Sequence, residues 1–402
     1  MAAQAPLTGV RVLEVGNFMA GPFCGMQLAD LGADVVKIEN PQGGDMVRQT
    51  APFVDGESSN FIRLNRNKRS LALDLKSAAG KQVFHKLVAR ADIVIENLRP
   101  GTMAELGLDY PRLAELNPRL IYVAASGWGQ TGPYSQLAGL DIMAQAMSGL
   151  MSITGPEASN GDAAEPVKVG VPVCDLVCAL YGALAAVSAL RARDRDGKGQ
   201  LIDVSLFEAG VSLAVWEAGK YFATGAVGRP LGSAHQTSAP YQAFRAADGW
   251  FTAGATTPAN WKAFMQVLGL EHLIDDPRFV TNSDRHANRE ELIPLIEAVT
   301  ANGTRERWIS ALQEAGVPCG AIQTYDQVFN DPHLLERGYF WDAAHETLGP
   351  IRQLGSPMRL TETPPRRDSA GPRLGQHTDE VLAELGYDEP GIAELREAHA
   401  VA

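Results

Sequence analysis

Short apolar runs alternate with helical stretches through the first half of the chain, and few folds accept that rhythm. Val10–Val15 reads as a strand. Gly21-Pro22 then opens a helical pattern that runs to Leu31, with proline near the first turn and Gly32 just past the end. Asp34–Ile38 reads as the next strand, and Leu71–Leu75, Asp92–Glu96, Leu120–Ala125 and Leu201–Leu206 as later ones. Ala78–Arg90 is one of the helical stretches between them. Such alternation is the βαβ pattern of a parallel sheet covered on both faces. The expected fold class is therefore α/β.

The pattern changes after a long apolar stretch, Asp175–Leu190, which reads as a buried helix. A Gly/Pro cluster at Thr224–Gly232 reads as part of a linker. Pro240–Phe244 and Trp250–Ala255 flank Asp248-Gly249, a hairpin signal. Helical patterns follow at Pro258–Leu268, Asn288–Val299 and Arg305–Ala315, and two short ones close the chain at Thr378–Leu385 and Ile392–Ala398. The expected division is a large domain over 1–205, a linker over 206–230, a small α+β domain over 231–330, and a C-terminal segment over 331–402.

Charge and motif content exclude several chemistries. The formal net charge is −12, which argues against nucleic-acid or membrane-surface partners, because phosphate binding needs clustered Lys and Arg. The four cysteines, Cys24, Cys174, Cys178 and Cys319, form no CxxC pair and read as buried thiols in a reducing compartment. Met1–Leu7 has neither a basic nor an apolar segment of a secretory signal, and no run approaches the apolar length of a membrane span. A cytoplasmic location is expected. The first βα turn, Val15-Gly16-Asn17-Phe18-Met19-Ala20-Gly21, lacks GxGxxG, and no P-loop, GxSxG or HExxH occurs. The eight His residues are scattered singly, so no metal site is expected.

Five segments carry more information. They are Ala20-Gly21-Pro22-Phe23 with Leu28–Glu39, Asn65–Leu71, Glu96–Gly101, Ser126–Pro133, and Leu374–Thr378. In this order, with Gly182 and Gly197-Lys198-Gly199-Gln200 after Asp175, the chain resembles the family III CoA-transferases from about Leu7 to Leu385. The resemblance implies a Rossmann-like large domain, a smaller domain and a C-terminal return to the first. It also implies an interlocked homodimer.

The resemblance places the catalytic aspartate at Asp175, in Val171-Pro172-Val173-Cys174-Asp175-Leu176, just before the long apolar helix. The implied chemistry is covalent. The carboxylate attacks an acyl-CoA thioester, and the enzyme then carries coenzyme A as an aspartyl thioester. Coenzyme A is substrate and intermediate, and no metal or nucleotide cofactor is needed. A plain alternative is that Asp175 serves as an N-cap. Matching positions imply coenzyme A contacts at Asn17, Phe18, Leu73, Lys76 and Asn97, with Arg99 a further phosphate candidate; ordinary surface roles are the alternative for Lys76 and Arg99. Asn40 and Glu105 stand where formyl-CoA transferases carry arginines.

Two departures steer the substrate. Met19 replaces a glutamine that closes over small acyl groups in formyl-CoA transferases. Ala138-Gly139-Leu140-Asp141 has leucine where the family's racemases carry a histidine base, which disfavours racemisation. Ser148–Met151, Thr154–Glu157 and Gly232–His235 before Pro240–Phe244 resemble the succinyl-CoA-dependent dicarboxylate branch. A dicarboxylic acid leaves one charge to be bound, for which Arg48, His235 and Gln130 are the candidates. A racemase or isomerase, and a non-catalytic CoA-binding protein, are the alternatives.

Overall fold

Each run read as a strand in the first half contributes to one. The computed structural model describes residues 4–157 and 165–402, so Met1–Ala3 of the N-terminal segment lies outside the described residues. The chain divides into two compact units. The larger comprises Met1–Leu150, Lys168–Gly225 and His333–Ala402. Its sheet has six strands: β1 (Arg11–Val15), β2 (Asp34–Glu39), β3 (Lys68–Ala72), β4 (Ile93–Glu96), β5 (Ile121–Ser126) and β6 (Leu201–Ser205). They lie in the order β3-β2-β1-β4-β5-β6, and each pairing is parallel. The order reverses between β1 and β4, the point where doubly wound sheets open a ligand crevice.

β3 corrects the sequence reading, which began that strand at Leu71. Lys68 and Arg69 belong to it because carboxylates of neighbouring strands neutralise them. Lys68 pairs with Glu14 on β1 at 2.7 Å and Arg69 with Asp34 on β2 at 2.5 Å. Hydropathy does not see such pairs.

Five helices matter for the site: α1 (Ala20–Asp30), α2 (Ala78–Val88), α3 (Asp141–Met147), α4 (Val173–Asp196) and α5 (Leu206–Ser212). Alternate residues of β1 feed two cores. Val12 packs with Cys24 and Leu28 of α1 and Ala179, Ala183 and Ala186 of α4. Leu13 and Val15 face Val83, Phe84 and Leu87 of α2, together with Val381, Leu382, Ile392 and Leu395 of the C-terminal helices. The C-terminal segment thus completes the larger unit's core. Small residues let α4 approach the sheet; a Cβ on Gly182 would sit 3.3 Å from Cys24 Sγ and Val123 Cγ1. By length and composition α4 could also cross a membrane, but its small-residue face is buried on the sheet. Residues 206–224, read from sequence as linker, are mostly helical. Ser205 caps α5 by accepting the N–H of Glu208 at 3.1 Å, and a second helix follows at Val215–Thr224.

Gly199 joins α4 to β6. A Cβ there would overlap the carbonyl oxygen of Leu120 at the start of β5. Backbone at the head of a buried strand cannot yield as a side chain can. Gly199→Ala is expected to cost about 3 kcal/mol, read as a lower urea midpoint at unchanged slope.

The smaller unit comprises Met151–Val167 and Ala226–Pro332. It has an antiparallel sheet of β7 (Tyr241–Ala246), β8 (Gly249–Gly254) and β9 (Cys319–Ala321), in the order β9-β8-β7. Helices α6 (Pro258–Leu268), α7 (Arg289–Thr300) and α8 (Arg305–Glu314) bury Trp261, Phe264, Leu292, Ile296 and Trp308 with Phe244 and Phe251 of the sheet.

Candidate active site

α4 begins two residues before the sequence reading placed it. Val173 and Cys174 occupy its first turn, and Cys174 is buried with Ala20, Ala144 and Leu206. Asp175 is therefore the third helical residue, within the first turn rather than before it. The N-cap position is Pro172, which has no polar side chain to offer. The free N–H groups find their acceptor on another helix. Cys174 N–H donates to Asp141 Oδ1 at 2.9 Å, and Asp175 N–H donates to the same oxygen at 3.4 Å.

Asp175 itself is half-buried. Its pKa is pushed up to about 7, first by burial and then by the nearby charge of Asp141. Both causes disfavour its ionised form. A carboxylate of this basicity is a better nucleophile than an ordinary surface aspartate, yet is still substantially ionised near neutral pH. It lines a cleft of about 790 Å³ with Phe18, Met19, Phe23, Leu140 and Leu176 as apolar walls and Arg63, Arg66, Asp141 and Lys168 as charged groups. An apolar cavity with a few convergent polar groups is the usual form of a small-molecule site.

Of the residues that the resemblance assigns to coenzyme A, Phe18 lines this cleft. It has a left-handed backbone (φ 59°) and donates its N–H to Asp45 Oδ1 at 3.2 Å. Asn17 and Asn97 lie at the C-terminal ends of β1 and β4, at the reversal of strand order. They hold one another: Asn17 N–H donates to Asn97 Oδ1 at 2.9 Å, and Asn97 Nδ2 donates to the Asn17 carbonyl at 2.8 Å. Asn97 lies so close to Gly16 and Gly21 that a Cβ on either would crowd its amide. Leu73 is buried beyond the end of β3 and bridges to Val401. Lys76 is exposed on the same edge. Arg99, also exposed, donates to the Gln136 carbonyl at 2.7 Å. These five mark the C-terminal edge of the sheet but do not line the cleft.

The acid-binding candidates are scattered. Arg48 is half-buried, and its guanidinium is engaged. Its Nε and NH2 both donate to Glu39 at 2.7 Å, its NH2 also donates to the Pro372 carbonyl, and its face covers Phe61 at 3.6 Å. Gln130 donates its backbone N–H to Asp203 at 3.0 Å. His235 belongs to the smaller unit and stacks on Tyr241 at 4.9 Å. Sequence reasoning missed Arg63, Lys168 and Asp141. The last was in plain view beside Leu140, but nothing in the sequence ties it to a helix 32 positions later.

Beneath the β1 turn lies a network of buried charge. Lys37 Nζ pairs with Glu14 at 2.7 Å and Asp45 at 2.9 Å, and donates to the Gly16 carbonyl at 2.8 Å. Lys68 Nζ pairs with the other oxygen of Glu14 and donates to the Pro22 carbonyl and Asn65 Oδ1. The turn carrying Asn17 and Phe18 is therefore fixed from below and, through Asp45, from the side.

A half-buried carboxylate of raised pKa at a helix start, beside the C-terminal edge of a parallel sheet, invites comparison with known proteins. The sequence profile of CoA-transferase family III matches residues 7–378. Mouse succinyl-CoA:glutarate CoA-transferase is 38% identical over 395 residues, 98% of this chain and 89% of the relative. Succinyl-CoA--D-citramalate CoA-transferase of Chloroflexus aurantiacus is also 38% identical, covering 97% of each chain. Among solved structures, a CAIB/BAIF family protein from Brucella suis superposes with a TM-score of 0.84 at 38% identity, over 95% of this chain and 100% of that one. The D175A mutant of Rv3272 from Mycobacterium tuberculosis gives 0.84 at 30% identity, over 95% and 99%. Profile, full-length identity and superposition agree that this chain is a CoA-transferase and belongs to CoA-transferase family III.

Proposed function

We propose that the enzyme moves coenzyme A from succinyl-CoA to a second dicarboxylic acid through a thioester on Asp175. The observation that carries this is the Asp175 carboxylate in the cleft, basic for an aspartate. An Asp175 oxygen attacks the donor's thioester carbon. The C–S bond breaks, coenzyme A leaves as thiolate, and a mixed anhydride remains. The thiolate attacks the aspartyl carbonyl and expels the donor acid as carboxylate. The acceptor acid reverses both steps, so charge and thioester count are conserved and no metal is called for. Leu140 on the cleft wall offers no proton to an α-carbon, which weighs against racemisation. The donor and acceptor classes are those of the relatives named above.

Coenzyme A is placed by the same reading along the C-terminal edge of the sheet, with Lys76 and Arg99 near its phosphates, Leu73 and Asn97 beside it, and its thiol end entering the cleft past Asn17 and Phe18. Apolar side chains stand exposed on α4 (Leu180, Leu184) and on the Val215–Thr224 helix after α5 (Val215, Trp216, Phe222). A patch of this kind suits a second copy of the chain, in keeping with a homodimer. Buried thiols at Cys24, Cys174 and Cys178 suit a reducing compartment such as the cytoplasm.

The test is peptide mass spectrometry after incubation with succinyl-CoA. A coenzyme A adduct on the Asp175 peptide is expected. A protein that binds coenzyme A yet never forms the adduct would overturn the covalent reading.

Arg63 is a better cation for the distal carboxylate than Arg48. Its NH1 donates to Ser59 Oγ at 2.6 Å and to the Ser59 carbonyl at 3.0 Å, but it pairs with no carboxylate among the described residues. An arginine edge in an apolar cleft suits a carboxylate. Arg63→Met is expected to lower kcat/KM for dicarboxylic acceptors roughly 100-fold and leave monocarboxylic acceptors of equal length within a few-fold, given ~1.5–3 kcal/mol for a charged hydrogen bond. Equal losses for both acid classes would remove Arg63 from this role.

A further inference from the structure

The helix that carries Asp175 is capped by a second carboxylate. Asp141, the first residue of α3, accepts the N–H groups of Cys174 and Asp175 on Oδ1. Its other oxygen accepts Gln145 Nε2 at 2.6 Å. Gln145 is fully buried. Its Oε1 accepts the N–H of Val169 at 2.8 Å, and its Nε2 also lies 3.4 Å from the Val171 carbonyl. One turn of α3 thus holds both the start of α4 and the strand of chain entering it. Pro172 cannot do this, and a neutral Ser or Asn would have capped the helix as well. A carboxylate at this point has a cost: it brings a second negative charge to the nucleophile.

We propose that Asp141, held by Gln145, is a positioning residue that aims Asp175 into the cleft and favours its uncharged covalent forms over the free carboxylate. The reasoning is electrostatic. Free Asp175 is an anion beside Asp141. In the anhydride and in the thioester its carboxyl is an acyl group without charge, and the negative charge has passed to the departing thiolate or donor acid. Repulsion by Asp141 is therefore felt by the resting state and relieved on reaction. Asp141 also takes up first-turn N–H groups that would otherwise stabilise the Asp175 anion. The other charged groups lining the same cleft are Arg63, Arg66 and Lys168. Arg66 is held by Asp30 through two hydrogen bonds at 3.0 and 2.6 Å, and Lys168 is exposed. On its own helix lie Cys174 and Cys178, whose thiols burial pushes up, so both stay neutral. Asp141 is the group whose charge acts on Asp175 in the sense required.

The proposal rests on Asp175 being the nucleophile, and the experiment separates the two ideas. Asp141→Asn and Asp141→Ser keep an oxygen for the helix N–H groups and remove the charge. Each is compared with wild type for fold, for the equilibrium fraction of enzyme carrying the coenzyme A adduct, and for the acid limb of the kcat/KM profile. In wild type the limb is expected near pH 7. In folded neutral variants it is expected at least one pH unit lower, with the adduct-to-free ratio reduced tenfold or more. An unchanged limb and unchanged ratio in a folded variant overturn the proposal and leave the nucleophile standing. If both neutral variants fail to fold while Asp141→Glu folds with full activity, the carboxylate is structural and the proposal fails. A wild-type enzyme that forms no adduct sinks the nucleophile itself, whatever stands at 141.

Discussion

Asp175→Ala is expected to fold, to bind coenzyme A, and to lose CoA transfer by about four orders of magnitude or more. On the proposed mechanism the change removes the covalent nucleophile and leaves only positioning and binding, and losses of this size are usual for such changes. A companion variant gives a second, opposite result. Asp175→Asn is expected to be as inactive but more stable than wild type at pH 8. The folded pKa of Asp175 is about 7, raised above the ~3.9 of an unfolded aspartate. Between these values the native state binds the extra proton, so stability falls as pH rises through that window and stays lower above it. The full shift corresponds to roughly 4 kcal/mol at most, and some solvent access to a half-buried group reduces this to roughly 2–3 kcal/mol. Asn carries no such penalty. Its advantage in urea unfolding at pH 8 should shrink steadily and vanish near pH 4. A variant no more stable than wild type at pH 8 would show that the Asp175 carboxylate is not held at a cost, and the argument for its heightened basicity would fall with it.

What could be read from sequence follows the range of the forces involved. β1, β2, β4, β5 and β6 lie within a residue or two of their apolar runs, because burial on both faces of a parallel sheet demands continuous Val, Ile and Leu. β3 slipped because Lys68 and Arg69 enter it under cover of Glu14 and Asp34, partners 54 and 35 positions away. The hairpin of Phe340–His345 and Gly349–Leu354 was not anticipated; Pro350 and the buried Gln353 blur its alternation. Asp175 was singled out through the motif order around it. Its environment was not, since the groups it meets are backbone N–H groups and a carboxylate on another helix, which leave no periodic trace. Arg48 shows the converse. Its place in a matched segment said that it matters, and only the structure says that Glu39 is what it matters to.

The largest stability effect should come from a residue remote from the reacting atoms. Glu14 is fully buried on β1, with Lys37 on one oxygen and Lys68 on the other, each at 2.7 Å. Glu14→Gln keeps the shape and removes the charge. Its amide would also turn a donor toward one of two ammonium groups. Lys37 still has Asp45, but Lys68 is left with the neutral oxygens of Pro22 and Asn65. Breaking a buried pair in this way costs about 3–5 kcal/mol. Lys68 provides a partial escape. Burial already presses its pKa down to about 8, and without Glu14 it should fall further, leaving the amine neutral at pH 7. In that state the unfolded chain binds a proton that the folded one does not, so the variant gains stability as pH rises. Wild type begins to gain only near pH 8. The deficit of Glu14→Gln should therefore narrow between pH 6 and 8 and stay constant from 8 to 9, measured by urea unfolding at fixed protein concentration. The same change removes one of Lys37's two carboxylate partners and so weakens its hold on the Gly16 carbonyl beneath Asn17 and Phe18, so KM for the acyl-CoA should rise more than kcat falls. A deficit under 1 kcal/mol at pH 7 would mean that the two lysines find other partners, and that the β1 turn is not held from below by Glu14.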